Sequence, residues 1–217
     1  MSEFRRRLMM QKAGGYEALP DGCVRCEYLE STGTQYVDTL VKPSYSYSLT
    51  IRYCHIKYDK IVGEAVLPVF GARTFAVSTG NGLFWAGANA VSDDLYLRFG
   101  GDNVKIPRFQ PYEFIELKVT QEAILLNGAE TGATMYKGMV DSGIPSIYIF
   151  GMNQTVVTMN IWASAIRVYG MTIEEDGVEL HRFIPILDHN GTPCLYDAIV
   201  KQFHYNQGTG QFLYKIL

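Results

Sequence analysis

From Cys23 onward the chain alternates apolar and polar residues with a period of two. Gly, Asn or Asp interrupts the alternation every ~8–12 residues. That rhythm is the strongest constraint on the fold. A period of two places alternate side chains on opposite faces of an extended strand, and no helical period of useful length follows residue 15. Ser46 to Ile56 shows the pattern clearly: Tyr47, Leu49, Ile51 and Tyr53 share one face, and Ser48, Thr50 and Arg52 the other. Val24, Cys26 and Tyr28 alternate in the same way with Arg25 and Glu27. Further strands are expected at 65–72, 74–79, 82–88, 95–99, 112–120, 123–127, 146–151, 161–173, 179–187, 194–196, 202–205 and 211–215. Asn81-Gly82 and Asn127-Gly128 are hairpin-type turns, because both residues of the pair tolerate positive φ. Sparse charge (19%) and abundant aromatics (13%) also favour strands. Strands this closely spaced within 217 residues indicate one all-β sandwich or barrel.

The first fifteen residues differ in character. Arg5, Arg6, Arg7 and Lys12 stand against Glu3 alone, so a basic arm (1–15) precedes an acidic body (16–217). Ser2 to Lys12 fits a short helix capped by Ser2, with Phe4 and Leu8 on one face and Gly14-Gly15 as its stop. A frayed, solvated end fits the same residues. In the functional reading, Phe4, Arg5, Arg6, Arg7 and Leu8 are assembly contacts. The net charge of −3 argues against a nucleic-acid partner. No apolar run approaches the ~18 residues of a membrane span. The arginine cluster is followed by only Leu8, Met9 and Met10, too short for a secretory signal, so synthesis in the cytoplasm without classical export is expected. Cys23 and Cys26 form a C-x-x-C, but Cys54 and Cys194 stand alone, which favours four reduced thiols over a zinc or redox centre.

Three stretches carry a family resemblance. Phe114 to Val119, a short turn, and Ala123 to Gly128 resemble the central hairpin of laminin G-like and concanavalin A-like jelly rolls. Tyr28 to Thr39 resembles the opening strand of such modules in gut-bacterial phage and prophage proteins. Ala165 to Phe212 resembles their closing segment: Val168-Tyr169, Asp176-Gly177, Phe183-Ile184-Pro185, Asp188, Asn190-Gly191, Leu195-Tyr196-Asp197, Phe203, Tyr205 and Gly208-Thr209-Gly210-x-Phe212. The resemblance implies a two-sheet antiparallel jelly roll and a non-enzymatic virion protein of the tail, fibre or capsid, with a lectin-like sandwich that binds host surface glycans. It implies attachment to other virion proteins through the arm, and a homo-oligomer, a trimer by analogy with phage fibres. The alternatives are a carbohydrate-binding lectin encoded by a bacterium or prophage and, more remotely, a glycoside hydrolase. Val168, Tyr169, Phe183, Ile184, Leu195 and Tyr196 are the core expected of the closing segment.

Several residues compete for a chemical role. Glu174, Asp176 and Glu179 have the E-x-D-x-x-E spacing of some concanavalin A-like glycanases, but Asp176-Gly177 is a turn signal that breaks the strand this chemistry needs. His55, His181, His189 and His204 have no metal-ligand spacing. Asp93-Asp94 and Asp102-Asn103 are loop oxygens of the kind that hold Ca²⁺ in lectin-like jelly rolls, without a fixed ligand spacing; no other cofactor is expected. Trp85, with small neighbours, is the candidate glycan-stacking residue, and core packing is the alternative for both Trp85 and Trp162. Tyr45, Tyr47, Tyr53 and Tyr58 form an alternative assembly face.

Overall fold

The computed structural model describes residues 18–56, 66–74, 83–89, 94–99, 104–106, 112–132, 144–154 and 162–217. All its regular elements there are strands. In chain order they are β1 (Val24–Glu30), β2 (Val37–Asp38), β3 (Tyr47–His55), β4 (Val66–Arg73), β5 (Leu83–Asn89), β6 (Leu95–Phe99), β7 (Val104–Ile106), β8 (Ile115–Val119) and β9 (Ile124–Leu126). They continue with β10 (Ala129–Glu130), β11 (Tyr148–Ile149), β12 (Gly151–Gln154), β13 (Trp162–Ala163), β14 (Ile166–Glu175), β15 (Val178–Leu187), β16 (Pro193–Asp197), β17 (Gln202–His204) and β18 (Leu213–Ile216). One sheet runs β10-β9-β8-β3-β14-β1-β15-β16-β17, with β18 on β1. The other runs β13-β12-β4-β5-β6-β7, with β11 bridging β2 to β4. Pairing is antiparallel throughout except between β12 and β4. This is the expected all-β sandwich. The strands expected at 74–79 and the Asn81-Gly82 turn lie outside the described residues, apart from Thr74.

The inner faces of the two sheets meet in one core. Leu49, Ile51 and Tyr53 of β3, Ile115, Leu117 and Val119 of β8, and Ile166, Val168 and Ile173 of β14 face Phe70, Phe84, Leu97, Phe99, Ile149 and Phe150 of the second sheet. Phe70, Phe84 and Phe99 pack edge-on and stacked at centroid spacings of 5.0–6.3 Å. Local turn chemistry closes two hairpins. Asn127-Gly128 (φ 52° and 83°) joins β9 to β10, and Asp176-Gly177 (φ 51° and 77°) joins β14 to β15. Both residues of each pair are left-handed, which matches the twist of the flanking strands.

Pairing at β1 departs from simple alternation. It bonds β15 through Val24–Arg25, β14 through Leu29–Glu30 and β18 through Cys26–Glu30, and its register slips between Cys26 and Tyr28. The slip buries both Cys26 (2%) and Glu27 (7%), and Glu27 takes an ion pair from Lys215 at 2.6 Å. It leaves Val24 exposed and turns Tyr28 to the outside, so the expected Val24/Cys26/Tyr28 face does not form. Tyr169 is corrected in the same way: Val168 is in the core, so its neighbour points outward and is half-exposed. The other four expected core residues of the closing segment are buried. The second half of β15 (183–187) and β16 are covered on both faces. Phe183 and Leu195 enter the main core, while Ile184, Ile186, Cys194 and Tyr196 form a second small core with Leu19, Cys23 and Phe203.

The opening and closing segments lock together at one end of the sandwich. Thr34 Oγ1 donates to the Thr209 carbonyl at 2.9 Å, and the Thr209 amide returns a bond to the Thr34 carbonyl at 3.2 Å. The Gln207 amide donates to the Tyr36 carbonyl at 2.9 Å. Asn206 Oδ1 accepts from the amides of Tyr36 (3.2 Å) and Gly208 (2.8 Å). Beneath them the buried Gln35 Oε1 accepts from Ser31 Oγ, Thr32 Oγ1 and the Thr32 amide at 2.8–3.1 Å.

Candidate ligand-binding surface

Four aromatic rings and one guanidinium gather on the outer face of the first sheet. Register explains why. Arg167 on β14 lies opposite Glu30 of β1 on one side and Cys54 of β3 on the other. Val168 points inward there, so Arg167 and Tyr169 point out, and the slip in β1 brings Tyr28 to the same face. Tyr28 and Tyr169 meet edge to face at 5.7 Å, and Tyr169 meets Phe114, just ahead of β8, at 5.1 Å. The Arg167 guanidinium lies over the Tyr28 ring at 4.6 Å and within 6.0 Å of Tyr112. Tyr28, Phe114 and Tyr169 are half-exposed, and Tyr112 is 63% exposed. Tyr112 is also held in the left-handed region (φ 64°), its amide donating to the His55 carbonyl at 2.7 Å. A bulky side chain at positive φ is strained and persists only where its surroundings hold it.

The polar groups of this face are paired. Arg167 Nε donates to Glu30 Oε2 at 2.6 Å, with side chains 25% and 15% exposed. Burial disfavours the Arg167 charge, but the hydrogen bond and charge of Glu30 outweigh it, and the guanidinium pKa is raised. Arg52 and Glu116 form a second pair at 2.7 Å. Cys54 is buried below, its sulfur 3.7 Å from the Tyr169 hydroxyl, and burial pushes its thiol pKa up. Such a face can stack the apolar side of a flat ligand and bond its hydroxyls, through Tyr, Arg and carboxylate groups that are already positioned.

The residues singled out from sequence fall elsewhere. Phe4, Arg5, Arg6, Arg7 and Leu8 lie outside the described residues, as do Asp93, Asp102, Asn103 and Tyr58. Trp85 sits on the outer face of the second sheet, between core residues Phe84 and Ala86, and is 6% exposed. It clusters with Met152 and Tyr96 beside Gly71, where any Cβ would come within 2.6 Å of the Trp85 Cβ. A ring so enclosed fits packing, the alternative reading of Trp85. Trp162 lies on β13, its side chain outside the described set. Tyr53 is fully buried, and Tyr45 and Tyr47 are partly buried against the core.

In the carboxylate triplet Glu174 and Glu179 are cross-strand partners, and Asp176 is set apart in the turn. Asp176 is at the exposed tip of the β14–β15 hairpin, Glu179 is bound by Arg182, and the intervening Glu175 accepts from Ser46 Oγ. His181 Nδ1 lies 2.6 Å from Asp197, but that buried carboxylate also accepts the amides of Arg182 (3.1 Å) and Ile199 (3.0 Å), so it caps the turn after β16. His204 Nδ1 lies 2.9 Å from the Asp38 carbonyl. His55 is fully buried, and burial holds its pKa down to about 3. Asp94 is paired with Lys105 at 2.7 Å. All four cysteines are free thiols. Among the described residues, no cluster of three or more His, Cys, Asp or Glu side chains could hold a metal, and no helix is long and apolar enough to cross a membrane.

Sequence reasoning passed over Tyr28, Tyr112, Phe114, Tyr169 and Arg167. The one local signal was Val168-Tyr169, adjacent strand residues that cannot both face the core.

No family model and no curated protein matches the chain. Among solved structures, Trypanosoma rangeli sialidase in complex with sialic acid aligns with 62% of this chain and 21% of that one, at 10% identity and a TM-score of 0.42. The match therefore spans about a fifth of that chain's length.

Proposed function

We propose that this chain is a non-enzymatic display module of a phage virion, in a tail, fibre or capsid-associated position, whose sandwich presents a glycan-binding face to the host surface. One observation carries the binding reading: the solvent-facing group of Tyr28, Tyr112, Phe114 and Tyr169 around Arg167. Exposed aromatic faces bordered by fixed hydrogen-bonding groups suit a sugar ring, which has an apolar face and a hydroxylated rim. The virion assignment rests on the resemblance of Tyr28–Thr39 and Ala165–Phe212 to phage and prophage modules. The non-enzymatic reading is supported by the position of Asp176 in the exposed hairpin turn rather than on the strand, and by the hold of Arg182 on Glu179. A homo-oligomer, with a trimer favoured, would present several copies of a weak site and raise its avidity without new contacts.

The test uses the purified full chain on a glycan array, with the double variant Tyr112→Ala/Tyr169→Ala alongside, and an antibody to the chain on purified particles. Selective glycan binding lost in the variant, together with signal on the particles, is the expected result. Binding with no particle signal would move the chain to the lectin alternative. Reducing-sugar release abolished by Glu174→Gln would overturn the non-enzymatic reading.

A further inference from the structure

We propose that the aromatic face takes a neutral pyranose bearing vicinal hydroxyls, and that the Arg167–Glu30 pair selects it against acidic sugars. This rests on the glycan-display reading and names its ligand class. The pair is set by strand register: Glu30 on β1 is the cross-strand partner of Arg167 on β14. The Arg167 Nε is occupied by Glu30 at 2.6 Å, and its Cζ lies over the Tyr28 ring at 4.6 Å. An arginine fork has five N–H donors, so the Nη groups of this partly exposed side chain keep donors for a ligand while Glu30 and Tyr28 hold the guanidinium in place. Glu30 places a carboxylate acceptor beside them.

A hydroxyl both donates and accepts. Two adjacent sugar hydroxyls can therefore accept from Arg167 and donate to Glu30 at once. A carboxylate or sulfate on the ligand can accept from Arg167 but has nothing to donate, and it must approach the Glu30 charge. The formal charge of the pair is zero, so the anion gains little long-range attraction to offset that repulsion. The Arg52–Glu116 pair on the same face repeats the donor–acceptor arrangement and extends it along the sheet. Tyr112, 63% exposed beside Arg167, supplies the open ring for stacking.

The experiment measures binding of the full chain to matched panels of neutral oligosaccharides and of uronate- or sulfate-bearing ones. The variants are Arg167→Lys, Glu30→Gln and Tyr112→Ala, each checked for an unchanged melting curve. Wild type is expected to favour neutral ligands by about tenfold or more, the factor that one well-placed charged hydrogen bond can supply. Arg167→Lys keeps the charge but loses the fork, and should weaken neutral binding about tenfold. Glu30→Gln removes the carboxylate and should shift the ratio toward acidic ligands by about tenfold. Equal or stronger binding of acidic ligands by wild type, lost in Tyr112→Ala, would overturn the selectivity and leave the display reading standing. An unchanged ratio in Glu30→Gln would also overturn it. Binding of no ligand in either panel would remove the display reading and this inference with it.

Discussion

Replacing Gly208 by Ala tests the lock between the ends of the sandwich. Gly208 is not in the left-handed region, so backbone strain is not the reason for glycine here. Space is. A Cβ at this position would lie 1.9 Å from the Thr34 carbonyl oxygen, 3.0 Å from its carbon and 3.1 Å from Tyr36 Cδ1. Two of these three atoms are backbone, so the 31–36 turn must move. The same Thr34 carbonyl accepts the Thr209 amide, and Thr34 Oγ1 donates to the Thr209 carbonyl. Forcing a methyl into a packed site costs about 1–3 kcal/mol. Losing one or two of these bonds adds about 0.5–1.5 kcal/mol each. The total of about 1.5–6 kcal/mol corresponds to a melting temperature roughly 3–24 °C lower for a chain of this size. Gly177→Ala is the comparator. Its φ is 77° and nothing lies within 4 Å of an added Cβ, so it should cost only the left-handed penalty of about 1–2 kcal/mol. Thermal unfolding of the two variants beside wild type decides the matter. If Gly177→Ala melts lower than Gly208→Ala, steric contact across the lock is not what requires glycine at 208.

Stability should also respond to pH through His55. Its imidazole takes a proton near 6.5 when unfolded, and burial holds it down to about 3 when folded, so the unfolded state binds more protons between those values. Folding free energy should therefore fall as pH drops from about 6.5 towards 3, at up to about 1.4 kcal/mol per pH unit. His55→Leu should lack that contribution in denaturant titrations at pH 4 to 7, and identical slopes would sink the assignment. Cys26 and Cys194 have thiol pKa values pushed up by burial to about 11 and about 12, and Cys54 is raised for the same reason. Iodoacetamide at neutral pH, followed by peptide mass spectrometry, should label half-exposed Cys23 first and the other three only on unfolding. Trp85→Phe should lower the melting temperature by a few degrees and leave glycan binding within about twofold of wild type. A loss of binding at full folding would return Trp85 to the ligand site.

Much of the scaffold was legible from local chemistry. The alternation of Tyr47 to Tyr53 places β3, because a pleated strand can only present every second side chain to the core. Asn127-Gly128 and Asp176-Gly177 place their hairpins, because a two-residue turn needs positive φ at both positions and few residues supply it. The same turn rule places Asp176 at a hairpin tip. Reading failed where the outcome depended on pairing between distant segments. Alternation puts Tyr28 with Cys26, and only the register slip against β18 sends it to the other face. Trp85 has small neighbours in sequence, yet Met152 and Tyr96, brought by β12 and β6, enclose it. Arg167 and Glu30 are 137 residues apart and meet because β14 pairs with β1 in one register. Strand existence and turn type thus reside in runs of a few residues. The aromatic face, the Arg167–Glu30 pair and the contact of Gly208 with Thr34 reside in the register of strands far apart in sequence. A shift of one residue there would reverse every side chain on the strand, and no short run of sequence records which register the folded core selects.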